Sequence, residues 1–156
     1  MNEEYMKIAI SIAKKSKGEV PVGAVIMANG KVIAAAHNTN TKTKVSTNHA
    51  EILAINKACK KLKANKLVDC DIYVTKEPCL MCMGAIIGSR IRNLYFGCYD
   101  RRFSVVDKID AFEVNHKVSI SGGILEKECG ELLSNFFETL RWEYGYIDYG
   151  KGCRCG

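Results

Sequence analysis

Asp71-Ile72-Tyr73-Val74-Thr75-Lys76-Glu77-Pro78-Cys79-Leu80-Met81-Cys82-Met83-Gly84-Ala85-Ile86-Ile87-Gly88 changes character part-way along. Its first five residues are rich in β-branched and aromatic side chains and read as a strand. Pro78 then opens a helix, because its fixed φ suits the first turn and its missing N–H is not needed there. Met81, Ala85 and Ile86 supply an apolar stripe, and the predicted helix runs over 79–88. Residues 92–98 return as a strand. Strand, helix and strand in succession imply a βαβ crossover and parallel pairing.

The flanks extend this pattern. Residues 3–17 read as an amphipathic helix with Tyr5, Met6, Ile8, Ala9, Ile12 and Ala13 on its apolar side. Val20 to Met27 reads as a strand, Asn29-Gly30 as a tight hairpin turn, and Lys31 to His37 as the returning strand. Asn38 to Asn48 is polar and aperiodic, hence a loop. Ile52, Leu53, Ile55, Ala58, Cys59 and Leu62 then recur at helical spacing, giving a helix over 49–62. Residues 99 to about 112 read as irregular, followed by a short strand near 117–120 and a long helix over about 124–143. The expected fold is a three-layer α/β/α sandwich with a mixed, mainly parallel five-stranded sheet. One domain is expected over 1–143, with a Gly-rich tail over 144–156. Sites in such sheets form outside strand ends, at helix N-termini.

Two motifs fall at those places: His49-Ala50-Glu51, and Pro78-Cys79-Leu80-Met81-Cys82. One imidazole and two thiolates hold a zinc ion on three sides, and the fourth tetrahedral position is left for water, which separates a catalytic zinc from a structural one. Cys79 and Cys82 are three residues apart and so share one face of the first helical turn. The positive end of the helix dipole favours their thiolates. Glu51, two residues from the His ligand, can move protons without occupying a coordination position. The joint pattern is the signature of zinc nucleobase deaminases. A lone Cys-x-x-Cys would fit a redox pair or a structural zinc equally well. The expected metal content is one zinc per chain, on His49, Cys79 and Cys82, with Glu51 as the catalytic acid/base.

The bulk composition narrows the alternatives. With 47% apolar and 26% charged residues in 156, a single domain with a full core is expected. No run approaches the ~18 apolar residues of a membrane span. Met1-Asn2-Glu3-Glu4 lacks a signal-peptide pattern, so the cytoplasm is the expected compartment. The eight cysteines are then expected to be reduced. Cys59, Cys70, Cys98 and Cys129 read as small buried hydrophobes. Cys153 and Cys155, in the tail, fit a second metal site, an oxidation-sensitive pair or no role. His37 and His116 read as surface or hydrogen-bonded histidines. The net charge of +6 hints at a polyanionic partner. The cluster Lys57, Lys60, Lys61, Lys63 and Lys66 suits a solvated helix C-terminus as well as a binding face. Lys42, Lys44, Arg90, Arg92, Arg101 and Arg102 lie nearer the motifs and are expected to ring the mouth of the site.

On these residues the chain resembles the cytidine/deoxycytidylate deaminase superfamily, and within it the bacterial tRNA adenosine deaminases. The likeness runs over about 3 to 141. It is carried by Glu19 to Val25, His49 to Ile52, Tyr73-Val74-Thr75, Glu77 to Cys82, Gly84 to Ile87, Ser89-Arg90-Ile91, Phe96-Gly97, Asn115-His116 and Gly123 through Phe137. The resemblance implies a cytidine deaminase-like fold, a homodimer, one zinc per subunit, and hydrolysis of adenosine to inosine at the wobble position of a tRNA anticodon loop. It places Asn38 against the target base and Asp100 against the RNA backbone. Arg101 and Arg102 are expected to position phosphates. This chain departs from the family pattern at Val45-Ser46-Thr47-Asn48, where Asp-Pro-Thr is usual. It departs again at Lys76, where an apolar residue lines the pocket, and at Arg101 to Val106, where the family loop is Gly-rich. These departures bear on substrate choice. Two other functions fit the motifs: a deaminase of free bases or nucleosides, such as cytosine, guanine or a modified purine, and a non-catalytic zinc module. The last leaves Glu51 without a role.

Overall fold

The structure, a computed structural model, describes residues 3–144. Five strands, β1 (Gly23–Ala28), β2 (Lys31–His37), β3 (Asp71–Lys76), β4 (Asn93–Cys98) and β5 (Ser119–Ser121), form one sheet in the order β2-β1-β3-β4-β5. β1 pairs antiparallel with β2 and β3, whereas β3 and β4, and β4 and β5, pair parallel. The hairpin turn is made by Asn29 and Gly30, both at positive φ (50° and 72°), as a two-residue turn between twisted strands requires. The parallel half is the βαβ unit expected from residues 71–98, with α4 (Leu80–Gly88) as its crossover.

β1 is buried at every residue from Gly23 to Met27, which requires cover on both faces. α1 (Glu3–Ala13) and α5 (Glu126–Tyr144) pack on one side, and α3 (Ala50–Leu62) lies against β1 and β2 from the other with α4 beside it. A row of small residues lets α1 and α5 approach. Thr75 lies between Gly23, whose N–H it accepts at 3.1 Å, and Gly97. A Cβ on Gly23 would collide with the Ala9 carbonyl of α1, and one on Gly97 with the Cys129 thiol of α5. Gly97→Ala is therefore expected to lower the urea midpoint by the equivalent of roughly 1–3 kcal/mol at unchanged m, the range typical of overpacking. An unshifted midpoint would show that α5 yields without cost.

Several boundaries differ from the sequence expectation, each for a local reason. α1 stops at Ala13 and the chain tightens into shorter turns, with Ser16 Oγ donating to the Ala13 carbonyl. β1 starts at Gly23, after Pro21, which has no N–H for the ladder. The loop before His49 contains a single turn of helix, α2 (Asn40–Thr43), and residues 106–111 form a 3₁₀ helix. α5 starts at Glu126 because Gly123 N and Ile124 N donate to Gly97 O and Phe96 O, pinning the preceding turn to the end of β4.

Cys70, Cys98 and Cys129 are buried and Cys59 is half-buried, as expected of small apolar side chains. Burial pushes the Cys129 thiol up to about 12, so it stays protonated and inert. Cys153 and Cys155 lie outside the described residues, as does the expected tail apart from Tyr144. Lys57 Nζ donates to the Ala35 carbonyl on the edge strand β2, Lys66 Nζ donates to the Gly88 carbonyl, and Lys63 is the left-handed C-cap of α3. Those lysines cap structure and blunt a sheet edge. Among the described residues no helix is long and apolar enough to cross a membrane.

Candidate active site

His49 and Cys79 occupy equivalent places: each is the N-cap of its helix, His49 of α3 and Cys79 of α4. Both have extended backbones (φ −75°, ψ 155° and φ −70°, ψ 171°), and neither side chain caps its own helix. Both side chains are thereby turned toward each other. The capping that His49 does not provide comes from Asn38, whose Oδ1 accepts the Ala50 N–H at 2.9 Å. The Asn38 amide nitrogen donates to the Val20 carbonyl at 3.1 Å, so this buried side chain fixes the start of α3 to the chain before β1. Cys82, one turn into α4, is fully buried, and Cys79 faces the open side.

The Nδ1 of His49 lies 3.7 Å from Cys79 Sγ and 3.6 Å from Cys82 Sγ, and the three donor atoms all fall within 4.8 Å of one another. A tetrahedral zinc with bonds of about 2.3 Å to sulfur and about 2.0–2.1 Å to nitrogen separates such donors by about 3.6 Å. The donor set and its spacing fit zinc. The Cys79 thiol is lowered to about 4, mainly by a hydrogen bond from Cys82, with a further one from His49, against the effect of burial. Cys82 is pushed up by that same hydrogen bond and by burial, and His49 is raised chiefly by its bond to Cys79. One thiolate thus shares its neighbours' protons, which a metal ion must displace on binding.

Glu51 is 4% exposed. Burial is the main cause that raises its carboxyl above the ordinary glutamate range, and its links to Cys82 and His49 act in the opposite direction. A buried carboxyl beside these candidate donors, with its hold on a proton strengthened, is the kind of group that general acid/base chemistry uses.

Two further glutamates, to which the residue pattern assigned no role, hold the loops on either side of the site. Glu19, 3% exposed, accepts the Thr41 and Lys42 N–H groups at 3.2 and 2.5 Å and so anchors α2. Glu77, also 3% exposed, accepts Asp100 N at 2.8 Å, Ser104 Oγ at 2.8 Å, Val105 N at 2.9 Å and Val106 N at 3.1 Å. The signal for Glu77 was a lone acid between a buried strand and a helix-opening proline. Asp100 sits inside the second loop. Its Oδ1 accepts Arg102 N and Phe103 N, and its Oδ2 pairs with Lys76 Nζ at 2.7 Å. Burial opposes the charge of Asp100, but the Lys76 ammonium and these two amides hold its carboxyl below the usual aspartate value. Arg101 and Arg102 are exposed on the same loop, with the Arg102 guanidinium 4.9 Å from the centre of the Phe103 ring.

Two of the six cations expected around the mouth of the site lie elsewhere. α4 carries the chain from the site back to the start of β4, so Arg90 and Arg92 lie at the opposite end of the parallel strands. There Arg90 donates to Asn115 Oδ1 at 2.6 Å and Arg92 pairs with Asp71, the first residue of β3, at 3.2 Å. His116 Nε2 donates to the Ile91 carbonyl and His37 Nδ1 donates to the Asn38 carbonyl, so neither histidine joins the donor set.

Residues 2–141 match the family of MafB19-like deaminases. The tRNA-specific adenosine deaminase of Bacillus subtilis (strain 168) is 44% identical over 146 residues, spanning 90% of this chain and 91% of that one. The chain belongs to this deaminase family. A structure from work on A-to-I editing by tRNA:A34 deaminases superposes with a TM-score of 0.82 at 36% identity, covering 85% of this chain and all of the other. The guanine deaminase of Bacillus subtilis superposes less well, with a TM-score of 0.62 at 33% identity over 78% of this chain and 85% of that one. The deaminase fold expected from the residues, a mixed five-stranded sheet between helical layers, is the one observed.

Proposed function

We propose that this chain is a zinc-dependent hydrolase that converts adenosine-34 in a tRNA anticodon loop to inosine, releasing ammonia. The observation that carries the chemistry is Glu51: a buried carboxyl placed beside three metal donors, in a family of deaminases. Likeness to a tRNA-specific adenosine deaminase over 90% of the chain supports the substrate class. His49, Cys79 and Cys82 would hold the zinc, which when bound supplies a water of near-neutral pKa. Glu51 takes a proton from the attacking water and delivers it to the ring nitrogen beside the reacting carbon. It then takes the remaining proton from the oxygen now bonded to that carbon and passes it to the amine as the carbon–nitrogen bond breaks, so that water is consumed and ammonia leaves. Asn38, rigidly held at the start of α3, contacts the base. Asp100 meets the RNA backbone, and Arg101 and Arg102 hold phosphates. The catalytic domain is taken as residues 1–143, working as a homodimer in the cytoplasm, where mature tRNA is found.

The test is a substrate panel: an adenosine-34 anticodon stem-loop against free adenine, guanine, cytosine and their nucleosides. Ammonia release from the stem-loop alone is the expected outcome. Turnover of free bases with none of the RNA would favour the guanine deaminase type of substrate instead. Within the same assay, Arg101→Glu with Arg102→Glu is expected to weaken RNA binding and to reduce the slope of log K against log salt by about 2. An unchanged slope would remove both arginines from the RNA path.

A further inference from the structure

Lys76 is the last residue of β3, at the carboxyl end of the parallel strands where the metal donors gather. It stands three residues before Cys79, and its ammonium is within 2.7 Å of Asp100 Oδ2. Asp100 itself is committed: one oxygen takes two loop amides and the other takes Lys76. Without Lys76, the rim would present a held carboxylate to an incoming phosphodiester. With it, the same patch is neutral, and an ammonium on a flexible stem can serve a carboxylate and a phosphate oxygen together. Arg101 and Arg102 follow on the same clamped loop.

We propose that Lys76 is a substrate-binding residue of this site, which takes the phosphate adjoining the target nucleotide while remaining paired with Asp100. The proposal rests on the RNA reading above and narrows it: the required substrate is a strand with a phosphodiester next to the reacting base. It also accounts for a charged residue at a position where the surrounding strand, Ile72 to Thr75, is apolar or buried.

The test uses full-length zinc-loaded protein, as wild type, Lys76→Arg, Lys76→Gln and Lys76→Met. Gln keeps a hydrogen-bonding partner for Asp100 without charge, so it guards against a misfolded Met variant. Binding of an adenosine-34 stem-loop is measured from 50 to 200 mM salt, with zinc content. Gln and Met are expected to weaken binding by roughly tenfold at the lower salt and to reduce the salt slope by about 1, with zinc content kept. Arg is expected to retain most of the affinity and the full slope. Unchanged binding in Gln and Met would overturn the proposal. So would weakened binding with an unchanged slope, because a residue that only tethers Asp100 releases no counterion. If wild-type protein neither binds nor deaminates the stem-loop, the RNA reading itself fails, and the Lys76 contact fails with it.

Discussion

Glu51→Gln is expected to lower kcat by at least ~10²–10⁴-fold, the range for loss of a general acid/base, while zinc content and the unfolding midpoint stay near wild type. The amide is isosteric and cannot carry the proton. Its site is buried, and burial is the main cause that holds the carboxyl above its usual range. Replacing the acid with a neutral group therefore removes chemistry without adding a buried charge. Single-turnover ammonia release and metal analysis on the same preparation are the measurements. Turnover within a few-fold of wild type would mean that another group moves the proton.

The second large effect belongs to the metal donors. His49→Ala and Cys82→Ala are each expected to release the zinc and abolish turnover. Both should also lower thermal stability, because a zinc held by these residues would join the first turns of α3 and α4, which are otherwise held by Asn38 and by helix packing. A ligand bound only by the native state adds about 2.7 kcal/mol when present at 100 times its Kd. Chelation of the wild type should therefore reproduce the stability loss of the Cys82 variant, and the variant should not respond to chelator. Full zinc retention in either variant would mean that the donor set is wrong.

The candidate site is legible in the residues because ligand spacing and helix starts are local. His49 and Cys79 precede apolar periodic runs, and Cys82 follows one turn later, so three candidate donors could be placed without knowing the fold. The parallel β3–α4–β4 unit was legible for the same reason. What was not legible depends on the third dimension. Arg90 and Arg92 are close to Cys82 along the chain and far from it in space, because a crossover helix runs the length of the sheet before the next strand begins. Asn38 opens what reads as a polar loop, and only the fold shows its amide bridging Val20 and Ala50. The pairing of Lys76 with Asp100, 24 residues apart, follows from strand register that no local pattern encodes.

Glu19 and Glu77 bind different loops: Glu19 takes amides from residues 41 and 42, and Glu77 takes donors from residues 100 to 106. The walls of the site are thus two cassettes, each plugged into its own socket. Either one can be exchanged for a loop of different sequence if the new loop offers its glutamate the same backbone donors. Neither exchange disturbs the metal donors, which come from helix starts. Changes at positions 101–103 would leave the Glu77 donors at 100 and 104–106 in place.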